Sequence, residues 1–236
     1  MAERERIILA SQSRSRRTML EQAGLMFDVI PANVDEPALR AGFEPERALD
    51  EDYPIEVAEM LAAAKATAVS MQFPDALVIG CDQVLALATE RRMDFGGKRW
   101  SASSYEILEK PENIEAARAH LSRLRGRMHQ LHACVALARG GEVLWTCTDS
   151  AELAMRDFSE GFLVQYLARA GERVCESVGA YQLEGLGVQL FESIAGDYFT
   201  ILGMPLLPLL EELRDRGVIA TCVQHHEAGV CHRVAD

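Results

Sequence analysis

The chain has 236 residues, enough for one or two domains with a buried core. Hydrophobic residues make up 49% and charged residues 25%, which excludes a disordered or fibrous chain. With 24 Lys and Arg against 36 Asp and Glu the net charge is −12, which disfavours nucleic acid polymers and anionic membranes as partners but not a small anionic substrate.

No apolar run is long enough to cross a bilayer, and Ile7 to Ala10 is too short for a signal-peptide core. The six cysteines form no C-x-x-C pair. A cytoplasmic, reduced protein is expected.

Arg6-Ile-Ile-Leu-Ala10 reads as a short buried strand. Ser11 to Arg17 then opens a helix through about Ala23, with Gly24 as its C-terminal stop. Phe27 to Ile30 suits a second strand. Pro31 to Pro54 is polar and acidic, with little periodicity. Pro54 fits the first turn of a long helix, and Val57, Leu61, Ala64 and Ala68 give that helix an apolar stripe.

Ala76 to Gly80 is a continuous apolar run, typical of an interior strand, and it leads into Cys81-Asp82-Gln83. Residues 88–109 are charged and irregular around Gly96-Gly97 and read as an insertion loop. A helix is expected to begin at Lys110-Pro111 and close at Gly126. Residues 128–138 and 142–154 suit two strands joined as a hairpin at Gly140-Gly141. Ser159 can cap a helix through Ala168, Tyr198 to Leu202 reads as a strand, and Pro205 to Arg216 as a helix ending at Gly217. Interleaved strands and helices with one hairpin define an α/β protein with a mixed sheet. A single domain over residues 1–217 is expected, followed by a tail, 218–236.

The densest positive patch is Arg4, Arg6, Arg14, Arg16 and Arg17. Within it, Ser11-x-Ser13-x-x-Arg16-Arg17 lies at a strand-to-helix turn. Hydroxyls, the N–H groups of a helix start and an adjacent guanidinium together suit a phosphate, although a capping Ser with solvated arginines explains the same pattern. Asp82 follows an apolar strand, where a partly desolvated carboxylate can serve as general base or metal ligand. Asp35-Glu36 offers oxygen ligands of the kind Mg²⁺ accepts, against the plainer reading of a solvated pair. Lys65 and Lys110 can each neutralise phosphate oxygens, though lone helix lysines usually face solvent.

There is no P-loop and no H-E-x-x-H motif, and Gly185-x-Gly187 lacks the third glycine of a dinucleotide fingerprint. Arg127, His129 and His132 read as one half-exposed strand face. Cys222, His225, His226, Cys231 and His232 match no standard zinc module.

In order and spacing, these segments resemble the Maf family of nucleoside triphosphate pyrophosphatases from about Ile7 to Gly217. The resemblance rests on Ile8 to Arg17, Val34-Asp-Glu36, Lys65, Ile79 to Gln83, Lys110-Pro111 and Gly126-Arg127-x-His129. It continues through Gly179 to Gly185 and Gly196 to Pro205. It implies a Maf/ITPase-like, elongated mixed sheet with two lobes around a deep cleft, often dimeric. It implies hydrolysis of a nucleoside triphosphate between its α- and β-phosphates, with Mg²⁺, Mn²⁺ or Co²⁺.

Carried over residue by residue, it makes Asp82 the proton acceptor or a metal ligand, Glu36 a metal ligand, and Arg16, Lys65 and Lys110 the catalytic cations. Ser11, Ser13 and Arg17 fall in its phosphate-binding motif. Three further positions separate its branches, and here they hold Ser15, Gln83 and Glu184. Gln83 and Glu184 match the branch resembling 7-methyl-GTP hydrolases, whereas Ser15 stands where that branch has Trp. None matches the branch resembling UTP and dTTP hydrolases. Two alternatives to a 7-methyl-GTP hydrolase stand: a UTP or dTTP pyrophosphatase of the same family, and a non-catalytic, nucleotide-binding regulator of cell division, which the family's association with septum formation raises.

Overall fold

The computed structural model describes residues 5–42, 48–95 and 98–220, and within the span 91–102 it describes backbone alone. These residues build one seven-stranded mixed sheet. In chain order come β1 (Ile7–Leu9), α1 (Arg14–Gln22), β2 (Asp28–Val29), α2 (Glu36–Arg40), α3 (Tyr53–Ser70), β3 (Leu77–Phe95), β4 (Lys98–Leu108) and α4 (Ile114–Leu124). Then follow β5 (Met128–Arg139), β6 (Glu142–Met155), α5 (Glu160–Ala170), β7 (Phe191–Ala195), α6 (Tyr198–Ile201) and α7 (Leu206–Asp215). The sheet order is β2-β1-β3-β5-β6-β7, with β4 also on β3. β1 runs parallel to β2 and β3, and the remaining pairs are antiparallel.

The 19-residue strand β3 organises the molecule. One of its edges pairs with β5 from Val78 to Ala86. Its other edge pairs with β1 at Leu77–Ile79 and with β4 from Leu85 onward. Between those partners, residues 80–84 keep an open edge, and the sheet is split there.

Strand alternation sends Leu77, Ile79 and Cys81 into one apolar cluster with α1 and α7, and Leu85 and Leu87 into a second with α4 and α5. Both clusters lie on the same face of the sheet, on either side of the split. The opposite face, carrying Val84, Cys134, Ala136 and Ala138, packs on α3 through Val57, Ala58, Leu61, Ala62 and Ala66. Gly80 permits this contact, because a Cβ there would lie 2.4 Å from the Ala62 carbonyl oxygen.

Several expectations are corrected. Residues 88–109 are not a loop: β3 and β4 pair from Leu85↔Leu108 to Phe95↔Lys98 as a long hairpin. Charge along this stretch disguised it, because both arms extend beyond the rest of the sheet and need no continuous apolar face. Pro31 to Pro54 contains the short helix α2, started by Asp35, whose side chain accepts from Ala38 N–H at 3.0 Å. The helix expected at Lys110-Pro111 starts at Ile114, after its cap Asn113.

Tyr198 to Leu202 is helical rather than extended. Its aromatic and β-branched residues favour a strand, but Asp197 accepts from the N–H groups of Phe199 and Thr200 and fixes a helical turn. His129 and His132 lie on opposite faces, as a separation of three requires in a strand, and both are buried. The hairpin at Gly140-Gly141 forms as expected, with φ of 57° and 89°, the left-handed pair that a tight hairpin turn needs. The cysteine and histidine cluster of the tail lies outside the described residues.

Candidate active site at the split in the sheet

β1 leaves the sheet after Leu9 and β4 ends at Leu108, so the segments that follow Leu9 and Leu108 face each other across the gap. The cleft between them has a volume of about 740 Å³. Ser11, Ser13, Ser15, Arg16, Glu36, Lys65, Asp82, Gln83, Lys110 and Glu184 all line it.

Ser11 and Ser13 act through short-range geometry. Ser13 caps α1, its Oγ accepting from Arg16 N–H at 3.4 Å, and Ser11 Oγ accepts from Ser13 N–H at 3.2 Å. Arg16 is fixed at three points. Its Nη1 donates to Ser11 Oγ at 3.2 Å and to the Cys81 carbonyl, on the open edge of β3, at 3.0 Å. Its Nε donates to the Gly203 carbonyl at 2.8 Å. A guanidinium held by neutral acceptors keeps its full charge for an anion.

Arg17 is a correction. One residue advances a helix by about 100°, so Arg17 turns to solvent, where its Nε lies 2.7 Å from Glu21 Oε1 on the next turn. It does not line the cleft.

Asp82 and Gln83 are consecutive on β3 and therefore point to opposite faces. Asp82 faces α3. There Lys65 Nζ donates to Asp82 Oδ1 at 2.5 Å and lies 2.7 Å from Glu36 Oε1. Asp82 and Lys65 have side chains only 8% and 13% exposed, so this is a largely desolvated ion pair, whereas Glu36 is 37% exposed. Asp82 Oδ2 is buried and has no hydrogen-bond partner among the described residues. Leaving such an oxygen unpaired is costly, which marks it for a water, an ion or a substrate group.

Burial alone would raise the Glu36 pKa. The Lys65 hydrogen bond and the charges of Lys65, Arg40 and Lys110 outweigh it and hold the carboxyl below its ordinary range. Lys110 is shifted down, first by burial and then by repulsion from Arg16 and Lys65, with Asp82 and Glu36 opposing.

The other end of the cleft is built differently. Gln83 Nε2 donates to the carbonyls of Thr200 and Ile201, both at 3.0 Å. Ser15 Oγ donates to Glu184 Oε1 at 3.3 Å, tying the start of α1 to the segment after the 3-10 helix Gly171–Glu176. That segment holds Ala180 at φ 58° and brings the buried Tyr181 against the cleft, where its hydroxyl lies 2.8 Å from His129 Nε2. With burial as the cause, the His129 pKa falls to about 4, so the neutral ring pairs with the phenol.

Sequence reasoning missed Arg40, Glu109 and Tyr181 as lining residues. Arg40 carried a readable signal, four residues after Glu36, and it contacts both Glu36 and Glu109. Tyr181 lies within the Gly179 to Gly185 segment of the resemblance, but no local periodicity singled it out there.

The chemistry of the donor set also bears on a divalent cation. No cluster of three or more His, Cys, Asp or Glu poised for a metal occurs among the described residues. Two carboxylates, one with a buried unpaired oxygen, nevertheless suit a hard cation that keeps waters and completes its shell with phosphate oxygens. The residues fit Mg²⁺ or a similar ion.

Fold and cleft together define an α/β protein with a phosphate-suited strand-to-helix turn beside a buried carboxylate–lysine pair. The chain belongs to the Maf family: the profile described as "Maf-like protein" matches residues 6–216. It is 48% identical over 215 residues to the 7-methyl-GTP pyrophosphatase of Mesorhizobium japonicum, covering 91% of this chain and 98% of that one. Identity to the protein of the same name from Brucella abortus is 46%, over 89% of this chain and 95% of the relative. The nucleoside triphosphate pyrophosphatase of Paramagnetospirillum magneticum is 47% identical, over 89% of this chain and 98% of its own length.

Proposed function

We propose that this protein hydrolyses nucleoside triphosphates between the α- and β-phosphates, giving the monophosphate and pyrophosphate, with 7-methyl-GTP as preferred substrate. The observation that carries the reading is the buried, unpaired Asp82 Oδ2 beside Lys65 in a cleft that also holds Arg16 and Lys110. The names of the relatives support the substrate class.

Attack by water on a phosphorus ringed by negative oxygens needs positioning and charge neutralisation above all. Asp82 Oδ2 orients the water and takes its proton. As the new P–O bond forms, the bond to the bridging oxygen breaks and pyrophosphate departs. Arg16 and Lys110 neutralise the phosphate oxygens from the two sides of the split. Lys65 balances Asp82 and Glu36 without substrate and adds its charge to the phosphates when they enter. Glu36 and Asp82 would hold a divalent cation, Mg²⁺, Mn²⁺ or Co²⁺, which supplies further neutralisation of the triphosphate.

At the other end, Glu184 accepts from the N1–H and amino edge of a guanine, and would repel a pyrimidine's carbonyls. Ser15 replaces a stacking aromatic with a hydroxyl, so affinity here rests on hydrogen bonds more than on stacking over a cationic base. Free thiols at Cys81, Cys134, Cys147 and Cys175 accord with work in the reducing cytoplasm.

The test is pyrophosphate release from 7-methyl-GTP, GTP, UTP and dTTP with each of the three cations. The reading expects the highest kcat/KM for 7-methyl-GTP. Preference for UTP or dTTP would overturn the substrate assignment, and tight binding with no turnover would favour a non-catalytic regulator.

A further inference from the structure

The base end of the cleft depends on side chains that do not line it. Gln83 on β3, Ala133 on β5 and Asp149 on β6 occupy one register row across the sheet, since Gln83 pairs with Ala133 and Ala133 with Asp149. They therefore share a face. This row sits where that face changes from one apolar cluster to the other, with Cys81, Val135 and Cys147 on one side and Leu85, Leu131 and Ala151 on the other.

Helix α6 meets this row. Thr200 is fully buried, and its Oγ1 donates to Asp149 Oδ2 at 2.6 Å. The carbonyls of Thr200 and Ile201 accept from Gln83 Nε2. Asp197 holds the start of α6 from the other direction, accepting from Phe199 N–H at 2.9 Å and Thr200 N–H at 3.1 Å.

We propose that Asp149 and Thr200 are positioning residues for base selection, acting through α6 to fix the orientation of the Gln83 amide. A primary amide has two N–H donors and one carbonyl acceptor. Both donors are taken by Thr200 and Ile201, so Gln83 presents only Oε1 to a ligand. With the Glu184 carboxylate, the base end then offers acceptors and selects a base edge rich in N–H groups. If α6 shifts, the amide is free to turn, present its NH₂ group and donate to pyrimidine carbonyls. Arg16 shares one contact with this turn, Nε to the Gly203 carbonyl, but Ser11 Oγ and the Cys81 carbonyl also hold it, so a shift of α6 disturbs it less than Gln83, both of whose donors end on α6.

The proposal rests on the nucleotide reading above, and its experiment separates the two. Calorimetric titration of wild-type protein, Thr200→Val, Thr200→Ser and Asp149→Ala with GMP, UMP and pyrophosphate is the test. A GMP-over-UMP preference in wild type that falls about tenfold in Thr200→Val and Asp149→Ala is the expected result, with pyrophosphate affinity changed by no more than about twofold, since Arg16 keeps two of its three contacts. Thr200→Ser, which keeps the hydroxyl, should retain the preference. Unaltered preference in Thr200→Val, or equal weakening of all three ligands, would overturn the positioning role while leaving the enzymatic reading intact. Wild-type protein that shows no preference between the monophosphates would overturn both the positioning role and the guanine assignment.

Discussion

The two ends of the cleft are built on opposite faces of one strand and by opposite means. Around Asp82, charges compensate one another directly: Lys65 bridges Asp82 and Glu36, while Arg16 and Lys110 lie nearby. Around Gln83, a neutral amide is fixed by backbone carbonyls, and Ser15 meets Glu184. The first arrangement suits a ligand whose charge dominates, and it tolerates little loss of a partner. The second suits discrimination, where each hydrogen bond is worth about 1 kcal/mol and affinities differ by modest factors.

Variants should separate the two ends. Asp82→Asn keeps the shape but cannot take a proton, so pyrophosphate release should fall about a thousandfold for every nucleotide, with the fold retained by circular dichroism. Lys65→Met removes the bridge and leaves two carboxylates facing each other. Turnover should drop about a hundredfold, and a melting experiment should show a loss of about 3 kcal/mol, because Asp82 is left buried and uncompensated. Uniform losses across bases are expected for both, and a base-dependent loss would blur the division between the ends.

Glu184→Gln should cost about tenfold in kcat/KM for guanine nucleotides and much less for UTP. An equal loss on both would remove Glu184 from base reading. The smallest effect is one of pH. Lys110 is the protonated, useful form only below its depressed pKa, so kcat/KM should fall as pH rises into a range more acidic than an ordinary lysine would show. In Lys110→Arg, whose side chain stays charged, that alkaline limb should disappear from the pH profile.

Much of the fold is legible along the chain. The apolar run ending at Gly80, the long helix begun near Pro54 and the paired glycines at 140 and 141 each carry a local signal, and each element forms. The hairpin of β3 and β4 and the helix α6 were illegible for two different reasons. The former is a paired arm whose charged residues need no apolar face. The latter is a single turn whose conformation comes from Asp197 and from packing on β6, against the propensity of Tyr198-Phe199-Thr200. Arg17, next to Arg16 in the sequence, is excluded from the cleft by helical rotation alone.

Local pattern in the chain shows which side chains are available: hydroxyls and a guanidinium at a strand-to-helix turn, a carboxylate at the end of an apolar run, and two lysines far apart. Their order within the chain was enough to recognise the family. It takes the assembled fold to make Lys65 bridge Asp82 and Glu36, to leave one oxygen of Asp82 unpaired among the described residues, and to spend both donors of Gln83 on α6. Such facts depend on the split between β1 and β4 and on the register across β3, β5 and β6, which are contacts between residues distant in sequence. Local pattern carries residue type and periodicity, whereas which polar atom is left without a partner is settled only when the whole sheet is assembled.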